Sequence, residues 1–262
     1  MPSARRDGAE LHWEALGSGP PLVMGAGLGG TGDWWAPNVE ALSRRFTVYR
    51  FDQRGTGLSS RVPVESVDQM ALDLLAVLDD AKLPVVRYIG HSTGAAIGVA
   101  ALLRAPERFR SLVIYASTTH GDPYRRKVLG LRSALLEGLG PGPYAEYTSL
   151  LLYPPYWINQ NAGLLAQMEA KAAGNLGSPE VQASRFRAIL EWDIREKLHG
   201  IGVPTLVVCA DDDILTPRYF SEEFARRIPG AQTYWAVRGG HALSRTEPEQ
   251  FNTVVMDFLQ RS

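Results

Sequence analysis

The stretch that decides the fold is "VVRYIGHSTGAAIGVAALL", residues 85–103, in which an apolar run turns through a serine into a helix-forming run. The first part, "VVRYIG", is typical of a buried β-strand. The turn itself, Gly90 to Gly94, fits the G-x-S-x-G pattern of a nucleophile elbow. Such a turn is too tight for side chains at the two glycine positions that flank it, and it lifts Ser92 above the sheet. The pattern in this strand–turn–helix context predicts a nucleophilic serine.

Short apolar runs alternate with helical patterns on both sides of the elbow. The runs that predict strands are "PLVMGAG", "FTVYRFD", "VVRYIGH", "SLVIYAS", "PTLVVCAD" and "QTYWAV", with "ELHWEAL" as an antiparallel edge strand. The predicted helices are 34–45, 67–82, 95–104, 219–227 and 248–260. We therefore expect an α/β fold with a mainly parallel central sheet and helices on both faces.

The strand–helix alternation stops between residues 119 and 202. This segment has no convincing strand and is rich in proline and aromatic residues. An excursion of this length between two strands of one sheet predicts an inserted helical lid after the sixth strand. The core would then comprise residues 1–118 and 203–262.

Composition excludes several classes of partner. The 262 residues include 27 Lys and Arg and 28 Asp and Glu, so the formal net charge of −1 gives no footprint for nucleic acid or anionic membranes. The chain shows neither a signal-peptide pattern nor an apolar run of membrane-spanning length. We expect a cytoplasmic protein that acts on a small molecule and needs no metal. The sequence does not predict the oligomeric state.

A glycine-rich loop after the first parallel strand permits two interpretations. Gly25, Gly27 and Gly30 fit the G-x-G-x-x-G pattern of a dinucleotide-binding loop, and Asp52 follows at the spacing of a ribose-binding carboxylate. That interpretation leaves the elbow and the residues downstream of it unexplained. The sequence therefore predicts no cofactor and favours an anion of another kind at this loop.

A serine nucleophile needs a base and an acid that orients the base. In a fold with this elbow, their order along the chain is serine, acid, histidine. His241, in the glycine-flanked loop "VRGGHAL", is the candidate base. Asp213, after the strand "PTLVVCA", is the preferred acid, and Asp122, after the preceding strand, is the alternative.

Together these motifs resemble the α/β-hydrolase superfamily over essentially the whole chain. The matching segments are "GAGLGG" at 25–30, "FDQRGTGLS" at 51–59, "GHSTGAAIGVAALLRAPERF" at 90–109, "PTLVVCADDDILTP" at 204–217 and "GGHAL" at 239–243. The resemblance implies an oxyanion hole formed by the backbone N–H groups of Leu28 and Thr93. Ala26 stands where a His-Gly pair often begins in that superfamily.

Within the superfamily, the chain is similar to the aminoacrylate (carbamate) hydrolase-like proteins of bacterial pyrimidine degradation. The similar segments include "YRFDQRGTG" at 49–57 and "LLLYPPYW" at 150–157. Members of that group can lack the elbow serine, whereas this chain has Ser92. The core is nearly as similar to the 3-oxoadipate enol-lactone hydrolases. The resemblance implies a serine hydrolase that cleaves an ester, lactone, carbamate or amide of a small carbonyl compound.

Aromatic and basic residues supply candidates for the substrate pocket. The candidate lining residues are Trp34, Trp35, Tyr153, Tyr156 and Trp157. Three arginines at the start of the predicted lid could meet a substrate carboxylate, although solvated helix charges are favoured: Arg125, Arg126 and Arg132. Alternatives that keep the same triad are carbon–carbon bond hydrolysis and cofactor-free perhydrolysis. A small-molecule receptor on this fold is the non-enzyme alternative.

Overall fold

A central sheet of eight strands organises the chain. The computed structural model describes residues 2–262, so Met1, the first residue of the predicted core, lies outside the described residues. The strands are β1 (Ser3–Arg6), β2 (Ala9–Leu16), β3 (Pro21–Gly25), β4 (Thr47–Phe51), β5 (Val86–His91), β6 (Phe109–Tyr115), β7 (Thr205–Ala210) and β8 (Gln232–Ala236). Their spatial order is β1-β2-β4-β3-β5-β6-β7-β8.

The pairing confirms the predicted mainly parallel sheet. Strands β4, β3, β5, β6, β7 and β8 pair in parallel, whereas β2 joins β4 in the antiparallel direction as the predicted edge strand should. The sequence analysis did not predict β1, which pairs antiparallel with β2 and extends the sheet by one strand. Its sequence, "SARR", is too polar and too short to be distinguished as a strand.

Helices cover both faces of the sheet, as predicted. Those of the core are α1 (Ala36–Ser43), α2 (Val67–Asp80), α3 (Thr93–Arg104), α9 (Arg218–Arg227), α10 (Leu243–Thr246) and α11 (Pro248–Arg261). One apolar cluster includes buried residues of α2, α3 and α9, and a second includes residues of α1 and α11. Ser66 shows why α2 begins where it does, because its side chain accepts a hydrogen bond from the Gln69 N–H.

Five further helices lie between β6 and β7, and we call them the helical insertion. They are α4 (Pro123–Leu139), α5 (Pro141–Leu152), α6 (Pro155–Gln160), α7 (Ala162–Asn175) and α8 (Pro179–Glu191). A β-bridge between His120 and Asp193 brings the two ends of the insertion together. That residues 119–202 form a separate lid stays a prediction.

Three further observations concern membrane spans, metal sites and the single cysteine. Among residues 2–262, no helix combines the length and apolarity that a membrane span requires. That same part of the chain contains no group of three or more His, Cys, Asp or Glu side chains placed to hold a metal ion. The single cysteine, Cys209, is buried in β7 and free.

Candidate active site

The elbow places Ser92 in a strained backbone conformation between β5 and α3. Ser92 has φ 51° and ψ −118°, a region that residues with a side chain rarely adopt. The flanking glycines explain how the chain turns so tightly. A Cβ on Gly90 would lie 2.3 Å from the Cα of Ala95, and one on Gly94 would lie 2.3 Å from the Gly25 carbonyl oxygen. The sequence thus forms the turn because both positions lack a side chain.

Parallel pairing brings the other candidate residues to the same edge of the sheet. Strands β3, β5, β7 and β8 run in one direction, so the segments that follow them meet at their carboxyl ends. Leu28 follows β3, Ser92 follows β5, Asp213 follows β7 and His241 follows β8. Residues far apart in sequence therefore converge on one site.

Asp213 and His241 form a buried, directly bonded pair. His241 Nδ1 lies 2.9 Å from Asp213 Oδ2, and both side chains are almost completely buried. The Asp213 carboxylate also accepts hydrogen bonds from the backbone N–H groups of Leu215 and Thr216, at 2.8 and 2.9 Å, and from the Thr216 hydroxyl at 2.8 Å. A carboxylate only accepts, so Nδ1 is the protonated nitrogen of His241 and its Nε2 has a free lone pair.

Asp122, the alternative acid, has a different role in the structure. It is the N-cap of α4, where its side chain accepts a hydrogen bond from the Arg125 backbone N–H at 2.7 Å. Its second oxygen accepts from the Tyr219 hydroxyl at 2.5 Å. The carboxylate in contact with His241 is that of Asp213.

Ser92 and His241 line the same cavity without a direct hydrogen bond between them in residues 2–262. Such bonds are often long or poorly aligned before substrate binds. The candidate base is held at its backbone, because the His241 carbonyl oxygen accepts a hydrogen bond from the Tyr115 hydroxyl at 2.7 Å. The elbow is held as well, since the Ser92 N–H donates to the Tyr115 carbonyl at 2.8 Å.

His91, next to Ser92, is neutral and supports the backbone at His241. Its ring stacks on Trp34 with centroids 4.4 Å apart, and its Nε2 lies 3.0 Å from the His241 carbonyl oxygen. Its Nδ1 is buried and has no partner in the described part of the chain, so Nε2 carries the proton and donates. Burial, with a smaller contribution from His241, holds the pKa of His91 well below its usual value.

The glycine loop is fixed through its carbonyl oxygens. Gln53 Nε2 donates to the Ala26 carbonyl at 2.5 Å, and the Arg185 guanidinium donates to the Leu28 carbonyl at 3.0 Å. The N–H groups of Leu28 and Thr93 donate no hydrogen bond to any residue in the range 2–262. Leu28 borders the cavity, whereas the Thr93 side chain is buried behind the elbow. Both N–H groups are therefore without a hydrogen-bond partner in the described chain, and that of Leu28 belongs to a residue that lines the cavity.

The dinucleotide interpretation needs Asp52 as a ribose ligand, but the Asp52 carboxylate is hydrogen-bonded within the protein. Its two oxygens accept from the backbone N–H groups of Gly32 and Leu58, each at 2.8 Å. These bonds tie the glycine loop to the loop after β4. Asp52 therefore stabilises loops, a role that its sequence position alone does not distinguish from ligand binding.

A cavity of about 920 Å³ lies between the sheet edge and the helical insertion. Of the aromatic residues predicted to line it, Trp34 and Tyr153 do. Trp35, Tyr156 and Trp157 are not among its lining residues. The other lining residues include several from the insertion that the sequence analysis did not propose: Tyr144, Ala145, Thr148, Ser149, Leu152, Met168, Ala172, Asn175, Leu176 and Gln182.

Each of the three other aromatics has a packing partner that explains its position. Trp35 is fully buried in the core, with its ring 6.1 Å from that of Phe251. Trp157 stacks behind Tyr153 with centroids 4.5 Å apart. The Tyr156 hydroxyl bonds to Glu247 at 3.0 Å. Sequence shows that these residues are aromatic, whereas the packing of each one in the fold determines whether it reaches the cavity.

Two arginines of α4 overturn the expectation of solvated helix charges. Arg125 and Arg132 are buried and line the cavity, whereas Arg126 is exposed. The spacing carries a signal that the sequence analysis missed. The two buried arginines are seven residues apart, on the same helical face as the buried residues Val128, Leu129 and Leu136.

Comparison with known proteins agrees with this geometry. The alpha/beta hydrolase family model matches residues 22–254. RutD of Azorhizobium caulinodans, provisionally named a carbamate hydrolase, is 37% identical over 259 residues, which cover 98% of each chain. RutD of Caulobacter sp. strain K31, named in the same way, is 36% identical over 263 residues, covering 99% of this chain and 98% of the relative.

Solved structures agree over the whole length. The enol-lactonase from Burkholderia xenovorans LB400 superposes with a TM-score of 0.91 at 26% identity, covering 99% of this chain and 100% of that chain. These comparisons confirm both resemblances stated from the motifs. The matched family model, the aligned relatives and the shared architecture together establish that this chain belongs to the α/β hydrolase family.

Proposed function

We propose that the protein is a serine hydrolase that cleaves an ester, lactone, carbamate or amide bond of a small carbonyl compound through an acyl-enzyme. The observation that carries the proposal is the buried 2.9 Å contact between Asp213 and His241, with His241 lining the same cavity as the strained elbow serine. The names of the relatives, a carbamate hydrolase and an enol-lactonase, support the same range of bonds.

In the acylation step, the Ser92 hydroxyl attacks the substrate carbonyl carbon and transfers its proton to His241 Nε2. Asp213 stabilises the imidazolium that forms, because its ionised carboxylate accepts a hydrogen bond from Nδ1–H and both side chains are almost completely buried. The N–H groups of Leu28 and Thr93 bind the oxyanion. Each donor of this kind contributes about 10²–10³ in rate.

Collapse of the tetrahedral intermediate then breaks the scissile bond. His241 returns the proton to the departing oxygen or nitrogen, and the acyl group stays on Ser92. Water enters the cavity, gives a proton to His241 and attacks the acyl carbon. The second tetrahedral intermediate collapses as its bond to Ser92 Oγ breaks and His241 returns the proton to Oγ, and the acid product leaves. Since the Asp213–His241 pair serves both half-reactions, the proposed mechanism needs no cofactor.

Three alternative hypotheses use the same residues: a carbon–carbon bond hydrolase, a cofactor-free perhydrolase and a small-molecule receptor. The first two would also need Ser92, whereas a receptor would bind without appreciable turnover. The cytoplasmic location likewise stays a prediction from sequence.

A substrate panel with a serine variant tests the proposal. We expect the wild-type protein to hydrolyse members of a set of p-nitrophenyl esters, enol-lactones and aryl carbamates. Ser92→Ala should lower kcat by at least about 10⁴-fold, because the nucleophile is lost while the fold is kept. Ser133→Ala, which removes a hydroxyl on α4 that bonds Glu137, is the matched control. Equal turnover by wild type and Ser92→Ala would refute the proposal.

A further inference from the structure

Four arginines are almost completely buried, and two of them have a clear structural role. Arg54 forms a two-pronged pair with the Asp73 carboxylate, at 2.8 and 2.6 Å. Arg185 donates to the carbonyl oxygens of Leu28 and Arg54 and to the Gln53 side chain. The guanidinium donors of both residues are therefore used by the protein itself.

The other two, Arg125 and Arg132, are at most 5% exposed but make few bonds. A guanidinium has five N–H donors. That of Arg125 makes one hydrogen bond, to the Leu215 carbonyl at 3.0 Å, and that of Arg132 makes one, to the Tyr144 hydroxyl at 2.7 Å. Arg132 Nε is buried without a partner in the described residues. Within that part of the chain, no carboxylate oxygen lies within 4.0 Å of either guanidinium.

The buried positive charges of Arg125 and Arg132 are electrostatically unfavourable. A buried charge without a paired counterion loses its hydration, and no ion pair compensates for that loss. Burial, and then the neighbouring Arg132, lower the pKa of Arg125 to about 10, so it is charged at neutral pH but poorly stabilised. The Tyr144 and Phe186 rings, 5.2 and 5.5 Å from the Arg132 guanidinium, offset part of this cost.

Acidic side chains that border the cavity are mostly engaged elsewhere. Asp33 pairs with Lys171 at 2.8 Å, and Glu14 pairs with Arg50 at 2.5 Å. Asp52 accepts the two backbone N–H groups described above. Glu169, on α7, is the remaining acidic lining residue. The positive charge of Arg125 and Arg132 is thus available to a ligand in the cavity that also contains Ser92 and His241.

We propose that Arg125 and Arg132 form a carboxylate-binding subsite, so that the substrate carries a carboxylate in addition to the carbonyl that Ser92 attacks. This inference rests on the proposed serine hydrolase function. The planar fork of a guanidinium matches the two oxygens of a carboxylate, which accepts two parallel hydrogen bonds. A carboxylate there would provide the direct ion pair that neither arginine makes within residues 2–262.

One structural role for Arg125 competes with this inference. Its bond to the Leu215 carbonyl could hold the loop that contains Asp213, two residues earlier. Loss of that support would slow hydrolysis of every substrate to the same extent. Loss of a carboxylate site would instead affect charged substrates alone. The charge of the substrate therefore separates the two roles.

The kinetic test compares mono-p-nitrophenyl adipate with its neutral methyl ester. We expect wild type to prefer the charged ester by about 10- to 100-fold in kcat/KM, the range for hydrogen bonds between charged groups. Arg125→Gln and Arg132→Gln should each reduce that preference by about tenfold. Both should slow hydrolysis of the neutral ester much less than hydrolysis of the charged ester, and the activity that remains shows that they fold. Arg125→Lys should restore part of the preference. Arg126→Gln, an equal loss of charge on the same helix, should leave it unchanged.

A binding test makes the inference independent of turnover. Adipate and dimethyl adipate are titrated into Ser92→Ala protein, with and without Arg125→Gln, by calorimetry. If adipate binds about tenfold more weakly to the arginine variant, the subsite is supported even when no ester is hydrolysed. A lack of ester hydrolysis would contradict the proposed function alone. Equal binding of adipate by both proteins, together with a uniform loss of rate on charged and neutral esters, would overturn the subsite.

Discussion

The two sides of the cavity differ in how their polar groups are bonded. On the sheet side, the Asp213 carboxylate accepts four hydrogen bonds, and the His241 backbone carbonyl is held by His91 and Tyr115. On the side of the helical insertion, Arg125 and Arg132 each make one hydrogen bond through a guanidinium with five donors.

This difference fits the two roles that we propose, in which the groups on the sheet side act on the substrate and the two arginines bind it. A residue that moves a proton must be positioned before the substrate arrives, so its partners belong to the protein. A residue that recognises a charge must keep donors free for the ligand. The residues proposed to move a proton follow parallel strands, and those proposed to bind a charge lie on a helix of the insertion.

The largest expected effect contrasts the two aspartates considered as the acid. Asp213→Asn should reduce kcat by about 10⁴-fold, because an amide can hold His241 in the wrong tautomer. Asp122→Asn should change kcat by less than about tenfold, since an asparagine still caps α4. Steady-state kinetics on one p-nitrophenyl ester measures both. A larger loss in Asp122→Asn than in Asp213→Asn would reverse the assignment.

A second prediction contrasts the two kinds of buried arginine through stability. Arg54→Met leaves the buried Asp73 carboxylate without its main partner and should cost about 3–5 kcal/mol of unfolding free energy. Arg125→Met removes a charge that lacks a counterion in the described chain, so we expect a change within about 1 kcal/mol or a gain. Urea unfolding measures both values. A loss of several kcal/mol in Arg125→Met would mean that Arg125 is already paired within the protein.

The smallest expected effect concerns His91 on the sheet side. Its pKa in the folded protein is below its value of about 6.5 in the unfolded chain, so the unfolded chain binds the extra proton as pH falls below 6.5. Stability is therefore lost as pH falls through this window, by up to about 1.4 kcal/mol per pH unit.

His91→Gln should remove that part of the slope. Urea unfolding at about pH 7.5 and about pH 5.5 compares the variant with wild type. If the two proteins lose the same stability over this interval, His91 is not a buried neutral histidine.

Sequence was sufficient for the sheet side of the cavity and insufficient for the other side. Ser92, Asp213 and His241 follow strands whose apolar runs are visible in the sequence, and parallel pairing then brings them together. The first strand, β1, was missed because four residues, three of them polar, carry no strand pattern. No comparable rule places the residues of a helical insertion, whose helices pack on one another at angles that periodicity does not determine.

The arginines of α4 illustrate that limit. Their seven-residue spacing puts them on the buried face, but the same pattern suits arginines whose long side chains reach solvent. The packing of α4 against α5 and α8 determines that Arg132 is buried, because Tyr144 and Phe186 enclose its side chain. Trp34 was identified from sequence, whereas Trp35 next to it belongs to the core.

The most direct test of the central claim, that Ser92 is the nucleophile of a hydrolase, is covalent labelling by a fluorophosphonate followed by peptide mass spectrometry. An activated serine attacks the phosphorus, and the adduct resembles the tetrahedral intermediate. We predict one phosphonyl group per chain on the peptide that contains Ser92. Labelling should be absent in Ser92→Ala and strongly slowed in His241→Ala. A wild-type protein that stays unlabelled, or is labelled equally without Ser92, would contradict the account.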